Sequence, residues 1–82
     1  MSQVSVQLFA AARAAVGQEA VFISAGTLGE VISSLTEQFP AFAAVEPRCS
    51  YLVDGVAAHG KPGEIMLGPD AQVDVLPPFA GG

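Results

Sequence analysis

The clearest helix of this chain limits the folds that are open to it. Thr27 and Glu30 have the spacing of a capping box at its start, and Pro40 ends it. Its apolar residues recur at spacings of three and four and so form one stripe: Leu28, Val31, Ile32, Leu35 and Phe39. Because one stripe must be buried against another element, a chain of 82 residues is expected to pack this helix on one sheet.

Two strands are predicted before the helix. Val4, Val6, Leu8 and Ala10 alternate with Ser5, Gln7 and Phe9, and this period of two is typical of a half-buried strand. Residues 10–16 are rich in alanine and favour a short helical turn that Gly17 ends. Residues 19–24 form a second apolar run, and we expect this strand to pair with the first.

Three strands are predicted after the helix. Residues 41–46 are interpreted as a loop anchored by Phe42 and Val45. Asp54-Gly55 indicates a type I′ hairpin, because both central residues of that turn need positive φ. The predicted strands are residues 48–53, 56–58 and 72–76. The order is therefore strand, strand, helix, strand, strand, strand.

Composition and charge exclude several classes of protein. A chain that is 51% hydrophobic and 13% charged is not intrinsically disordered, and no apolar run approaches the ~20 residues of a membrane-spanning helix. Three basic and eight acidic residues give a net charge of −5, which argues against nucleic-acid binding and favours a protein partner with a basic surface. One cysteine and one histidine exclude an internal disulfide and an iron–sulfur cluster, and we expect no metal site. The N-terminus lacks the pattern of a secretory signal, so a cytoplasmic location is expected.

The most distinctive segment is the C-terminal Pro77-Pro78-Phe79-Ala80-Gly81-Gly82. Two prolines directly after a strand pre-set an extended backbone and donate no hydrogen bond to a sheet. Gly81 and Gly82 have no Cβ, so they fit a channel too narrow for other residues. Phe79 to Gly82 reach about 13 Å at about 3.3 Å per residue. We therefore predict a folded domain over residues 1–78 and a flexible tail over residues 79–82.

Together with this order of elements, four segments carry a resemblance to a known family: Leu8–Arg13 with Gly17, Thr27-Leu28 at the start of the helix, Cys49–Gly55 and Val73–Gly82. They resemble the ubiquitin-like sulfur carriers of the MoaD/ThiS type, and among these the small subunits of molybdopterin synthase. The resemblance implies an α+β, ubiquitin-like β-grasp fold, in which a mixed sheet packs on one main helix and a Gly-Gly tail extends from the C-terminus. The sequence departs from the family pattern at two places. The residue after Arg13 is often acidic in the family but is Ala14 here, and the usual Gly-Asp turn before the last strand is loosened to Gly68-Pro69-Asp70.

The resemblance also implies a function. An ATP-dependent adenylyltransferase is expected to adenylate the carboxylate of Gly82, and a persulfide then converts it to a thiocarboxylate. The large subunit of molybdopterin synthase, expected in a heterotetramer with this chain, uses that sulfur to build the dithiolene of molybdopterin from cyclic pyranopterin monophosphate. This chain is then a non-catalytic carrier with no bound cofactor, and the catalytic side chains belong to the large subunit.

The residues implied in this function form two sets. Gly82, with Gly81, carries the reaction. The partner-binding set is Phe9, Arg13, Pro77, Pro78, Phe79 and Ala80. Phe79 is the expected anchor, because aromatic residues dominate interface hot spots. Cys49, although it is a thiol, is interpreted as a small buried strand residue and not as the carrier of sulfur.

Other functions remain open because they use the same tail or only the fold. A carrier for thiamine or cysteine synthesis shares the chemistry, although tails of that kind usually lack the paired prolines. A ubiquitin-like modifier would instead join Gly82 to lysine side chains through isopeptide bonds. A β-grasp binding module would have no tail chemistry at all.

Overall fold

A computed structural model describes residues 2–78 of the protein as one mixed sheet with helices on one face. Its strands are β1 Ser2–Leu8, β2 Ala20–Ala25, β3 Ser50–Val53, β4 Val56–Ala57 and β5 Gln72–Leu76. Its helices are α1 Ala10–Val16, α2 Leu28–Gln38 and α3 Phe42–Val45, with 3₁₀ turns at Glu46–Arg48 and Pro62–Glu64. No helix within residues 2–78 is long and apolar enough to cross a membrane.

The first and last strands pair in parallel at the centre of the sheet. The strand order is β2-β1-β5-β3-β4, and every pairing other than that of β1 with β5 is antiparallel. In the parallel pair Val6 lies opposite Val73, and Leu8 lies opposite Val75. A mixed sheet packed on one long helix is the predicted β-grasp architecture, so the predicted fold is confirmed.

Alternate residues of the central strands face α2 and form the core. Val6, Leu8, Val73 and Val75 are fully buried on one face of the sheet. Leu28, Val31 and Leu35 of α2 are buried with them, as their helical spacing predicts. Ile32 and Val53, which are expected to be mostly buried, are partly buried and pack against this core.

Local signals set the start of α2 and the hairpin turn as predicted. The Thr27 side chain accepts a hydrogen bond from the backbone N–H of Glu30 at 3.2 Å, and the Glu30 carboxylate accepts one from the backbone N–H of Thr27 at 3.2 Å. In the hairpin, Asp54 has φ 51° and Gly55 has φ 84°, so both central residues lie in the left-handed region that a type I′ turn requires.

The predicted loop over residues 41–46 is wrong. Residues 42–45 form α3 and residues 46–48 a 3₁₀ turn, and the Phe42 side chain is fully buried. Burial of this ring stabilises a helix that is too short to form by itself. The following strand accordingly begins at Ser50 and not at Arg48, because the N–H of Cys49 still bonds the carbonyl of Glu46 within the 3₁₀ turn.

Leu35→Ala tests the assigned core face of α2. Leu35 has no exposed surface, so its truncation leaves a cavity, and we expect the free energy of unfolding to fall by about 2–5 kcal/mol. Glu37→Ala on the exposed face of the same helix is the control and should change little. Denaturant unfolding of both variants measures the difference, and equal midpoints would contradict the assignment.

Candidate functional site

The parallel pairing of β1 with β5 brings the start of α1 beside the root of the C-terminal tail. The backbone N–H of Phe9 donates a hydrogen bond to the carbonyl of Val75 at 3.0 Å, which extends the ladder one residue past β1. One residue beyond this point β5 ends at Leu76, and the chain leaves the sheet through Pro77 and Pro78, both exposed. Phe9 is far from the C-terminus in the sequence, but in the fold it lies next to the segment that leads to the tail.

Arg13 is held against the same end of the sheet. Its Nε donates a hydrogen bond to the carbonyl of Leu8 at 3.0 Å, and its guanidinium lies 5.7 Å from the centroid of the Phe9 ring in a cation–π contact. Its ion pair with Glu19 is 3.9 Å long and exposed, so it adds little stability. The structure therefore brings together Phe9 and Arg13, as the sequence predicts, on one side of the tail root.

The backbone changes direction sharply at Ala10. Ala10 has φ 51°, in the left-handed region that costs a residue with a Cβ about 1–2 kcal/mol. Such conformations concentrate at functional sites, where the surrounding structure imposes them. This bend leaves the Phe9 side chain outside the core and 36% exposed.

A groove of about 380 Å³ adjoins the tail root, between α1, α3 and the end of β5. We call it the tail-root groove. Its apolar lining includes Ala10, Ala11, Ala44, Val45, Pro77 and Pro78. Arg48 also lines it and is the one charged residue among the described residues of the lining. The groove was not predicted, because residues 41–46 were interpreted as a loop. The signal available in the sequence was the apolar run Ala43-Ala44-Val45 directly after Phe42, which is buried.

Cys49 lines the tail-root groove as well, but its thiol is not activated. It precedes β3 and is only partly buried, so its expected place within a strand is corrected. Its Sγ donates a weak hydrogen bond to the carbonyl of Val45 at 3.4 Å. Burial, and then the nearby carboxylate of Glu46, raise the pKa of the Cys49 thiol above its usual value. Since the thiolate is the nucleophile, this environment favours the protonated, less reactive form of Cys49.

Tyr51 belongs to β3 and is hydrogen-bonded to the 3₁₀ turn that precedes this strand. Its side chain is 9% exposed, and its hydroxyl donates a hydrogen bond to the Glu46 carboxylate at 3.2 Å. Burial and then the charge of Glu46 raise the pKa of the Tyr51 hydroxyl far above its ordinary value. This hydrogen bond fixes the turn that carries Arg48 to the rim of the groove.

The remaining predicted site residues, Phe79, Ala80, Gly81 and Gly82, lie outside the described residues. Within residues 2–78, no three His, Cys, Asp or Glu side chains are grouped so that they could hold a metal ion.

Comparison with known proteins identifies the family. The model of the ThiS family matches residues 6–82. The chain belongs to the ThiS family. The match confirms the resemblance to MoaD/ThiS-type sulfur carriers that the sequence motifs indicate. No curated protein sequence gives a significant match.

Several solved structures are similar to this ThiS-family chain. Small archaeal modifier protein 1 from Methanosarcina acetivorans is 29% identical, with a TM-score of 0.83 and coverage of 100% of this chain and 98% of that chain. A putative molybdopterin converting factor subunit 1 from Pyrococcus furiosus is 18% identical, with a TM-score of 0.83 and coverage of 96% and 100%. A complex of subunits 1 and 2 of molybdopterin-converting factor from Helicobacter pylori gives 20% identity, a TM-score of 0.72 and coverage of 98% and 99%. At these lower identities the last two show the shared β-grasp fold.

The single tyrosine of the chain allows the environment of this site to be tested by titration. Because its pKa is raised on folding, Tyr51 should stay protonated in the folded state above pH ~10, where an unfolded tyrosine ionises. The unfolded state then releases a proton that the folded state keeps, so stability is lost as the pH rises above ~10. We expect phenolate absorbance to appear only together with the loss of the circular dichroism signal. Tyr51→Phe should weaken the alkaline loss of stability, and a phenolate that forms near pH ~10 in the folded protein would contradict the assigned burial.

Proposed function

We propose that this ThiS-family chain is a sulfur carrier of molybdopterin synthesis, with Gly82 as its reactive residue. The observation that carries the proposal is the family match, which runs through the Gly-Gly terminus to residue 82. The structure supports it by showing that the last described residues, Pro77 and Pro78, are exposed where the chain leaves β5. A tail that begins on the surface can enter the active site of another protein without unfolding the domain.

The proposed chemistry takes place on the C-terminal carboxylate. A carboxylate is a poor electrophile, so an activating enzyme joins it to the AMP portion of ATP, and pyrophosphate leaves. The terminal sulfur of a persulfide donor then attacks the acyl carbon and displaces AMP, which leaves an acyl disulfide. A second thiol attacks the donor's sulfur in that disulfide, so the S–S bond breaks, the thiocarboxylate is released and the two thiols are left oxidised as a disulfide. ATP serves the activating enzyme in this scheme, and the carrier itself holds no cofactor.

The large subunit of molybdopterin synthase is the proposed recipient of the sulfur. The Helicobacter pylori complex supports this choice, because it joins subunits 1 and 2 of molybdopterin-converting factor and its subunit 1 shares this fold. Two carriers and two large subunits would form the heterotetramer. Each dithiolene contains two sulfur atoms, so each product consumes two loaded carriers. The paired prolines favour this pathway over thiamine or cysteine synthesis, whose carriers usually lack them.

A second candidate is supported by a different observation. Small archaeal modifier protein 1 from Methanosarcina acetivorans is 29% identical to this chain over its full length. By analogy with a modifier protein, Gly82 would be joined to lysine side chains of other proteins through isopeptide bonds. Activation by ATP is common to both candidates, and they differ in the nucleophile that attacks the activated terminus.

Deletion of Gly82 tests the reactive residue. The deletion moves the carboxylate back by ~3.3 Å, and misplacement by ~1 Å already costs large rate factors. We expect complete loss of thiocarboxylate formation with an unchanged melting temperature, because the residue follows the folded domain. Intact-mass analysis after reaction with the activating enzyme, ATP and a persulfide donor measures the exchange of oxygen for sulfur. Normal loading of the shortened chain would exclude Gly82 as the carrier, and ladders of conjugates in the native cell would favour the modifier.

Cys49→Ala tests whether sulfur passes through the chain's own thiol. Because the pKa of Cys49 is raised and its thiol is hydrogen-bonded, we expect this variant to load sulfur at the normal rate. The same intact-mass assay measures the loading, and circular dichroism checks the fold. A folded variant that no longer acquires sulfur would make Cys49 a relay thiol.

A further inference from the structure

The three basic residues of the chain differ in what they contact. Arg13 is engaged by the Leu8 carbonyl, the Phe9 ring and Glu19. Arg48 lines the tail-root groove and makes no hydrogen bond or ion pair with the other described residues. Lys61 precedes the 3₁₀ turn of residues 62–64, which packs against the N-terminal end of α2 and so lies far from the groove. A chain with a net charge of −5 therefore presents one uncommitted guanidinium beside the root of its tail.

The length of the tail limits where a recipient can touch the domain. Phe79 to Gly82 reach at most about 13 Å beyond Pro78, so any active site that acts on Gly82 lies within that distance. The mouth of such a site must then press against the residues around Pro77 and Pro78. These residues are Phe9, with Arg13 packed against its ring, and the lining of the tail-root groove.

We propose that the tail-root groove is a docking site for the large subunit of the synthase, which inserts an apolar side chain flanked by a carboxylate that pairs with Arg48. This inference rests on the proposed function and identifies the surface that the recipient recognises. The apolar lining calls for an apolar side chain, since burial of apolar surface drives association. The one charged lining residue is a cation, so charge complementarity calls for Asp or Glu beside that side chain.

The groove also meets the physical requirements of an interface anchor. Its volume of about 380 Å³ is sufficient for one large side chain and lies at the lower end of the range of binding clefts. Its walls are short helices fixed by the buried Phe42 and by the Tyr51–Glu46 hydrogen bond, so it is formed before the partner arrives. Pre-formed pockets of this kind cost little ordering entropy on binding.

The test compares two variants with the same change of charge. Arg48→Glu reverses the charge at the groove, and Lys61→Glu reverses it at the remote cation. The dissociation constant of each full-length chain for the purified large subunit is measured by calorimetry at low and moderate salt. We expect the dissociation constant to rise about tenfold or more for Arg48→Glu and about twofold or less for Lys61→Glu. Arg48→Lys keeps the positive charge and should retain most of the wild-type affinity.

A third variant tests the apolar part of the site. Ala44 is exposed and lines the groove, so Ala44→Leu should occupy the space without a change of charge or loss of the short helix. We expect this variant to weaken binding while its melting temperature stays at the wild-type value.

Each other outcome overturns the inference and is distinguishable from failure of the proposed function. Equal weakening by Arg48→Glu and Lys61→Glu would show that only net charge matters. Wild-type affinity of both Arg48→Glu and Ala44→Leu would show that the large subunit does not use the groove. If these variants bind normally but are adenylated slowly, the groove serves the activating enzyme. If the wild-type chain forms the thiocarboxylate yet does not bind the large subunit, the proposed recipient is wrong, and the inference falls with it.

Discussion

The parallel pairing of β1 with β5 is the interaction on which the rest of this molecule depends. It joins residues near the two ends of the sequence, and its register places Val6 beside Val73 and Leu8 beside Val75. These four buried side chains belong to the same hydrophobic core as the apolar face of α2. A shift of the register by one residue would turn the apolar side chains of one strand away from the helix. The same pairing bonds the N–H of Phe9 to the carbonyl of Val75, so the core and the candidate site are set by one set of hydrogen bonds.

The parts of the fold that the sequence predicted well are those with local signals. The capping box of Thr27 and Glu30 and the Asp54-Gly55 turn each act through neighbouring backbone groups, so a short stretch of sequence suffices to identify them. The helix α3 could not be found in this way, because its four residues carry no cap and depend on the burial of Phe42 by distant parts of the chain. The start of β3 was misplaced for the same reason, since the preceding 3₁₀ turn takes up Arg48.

The candidate site divides along similar lines. Phe9, Arg13 and the C-terminal motif were found because they belong to segments that resemble one family. The cation–π contact of Arg13 with Phe9 and the tail-root groove depend on how α1, α3 and β5 meet, and no local pattern reports that meeting. Arg48 in particular is 29 residues before Pro77 in the sequence, yet both line one groove. The residues that bear the proposed chemistry can thus be predicted from the sequence, whereas the surface around them can be identified only from the tertiary structure.

The central position of β5 has a mechanical consequence. The tail continues directly from this strand, and β5 is hydrogen-bonded along both of its edges, to β1 on one side and β3 on the other. A pull on the tail along the strand direction therefore loads many hydrogen bonds at once in shear, whereas a pull on an edge strand would open them one at a time. Any partner that pulled on the terminus would thus load a strand that is held along both of its edges.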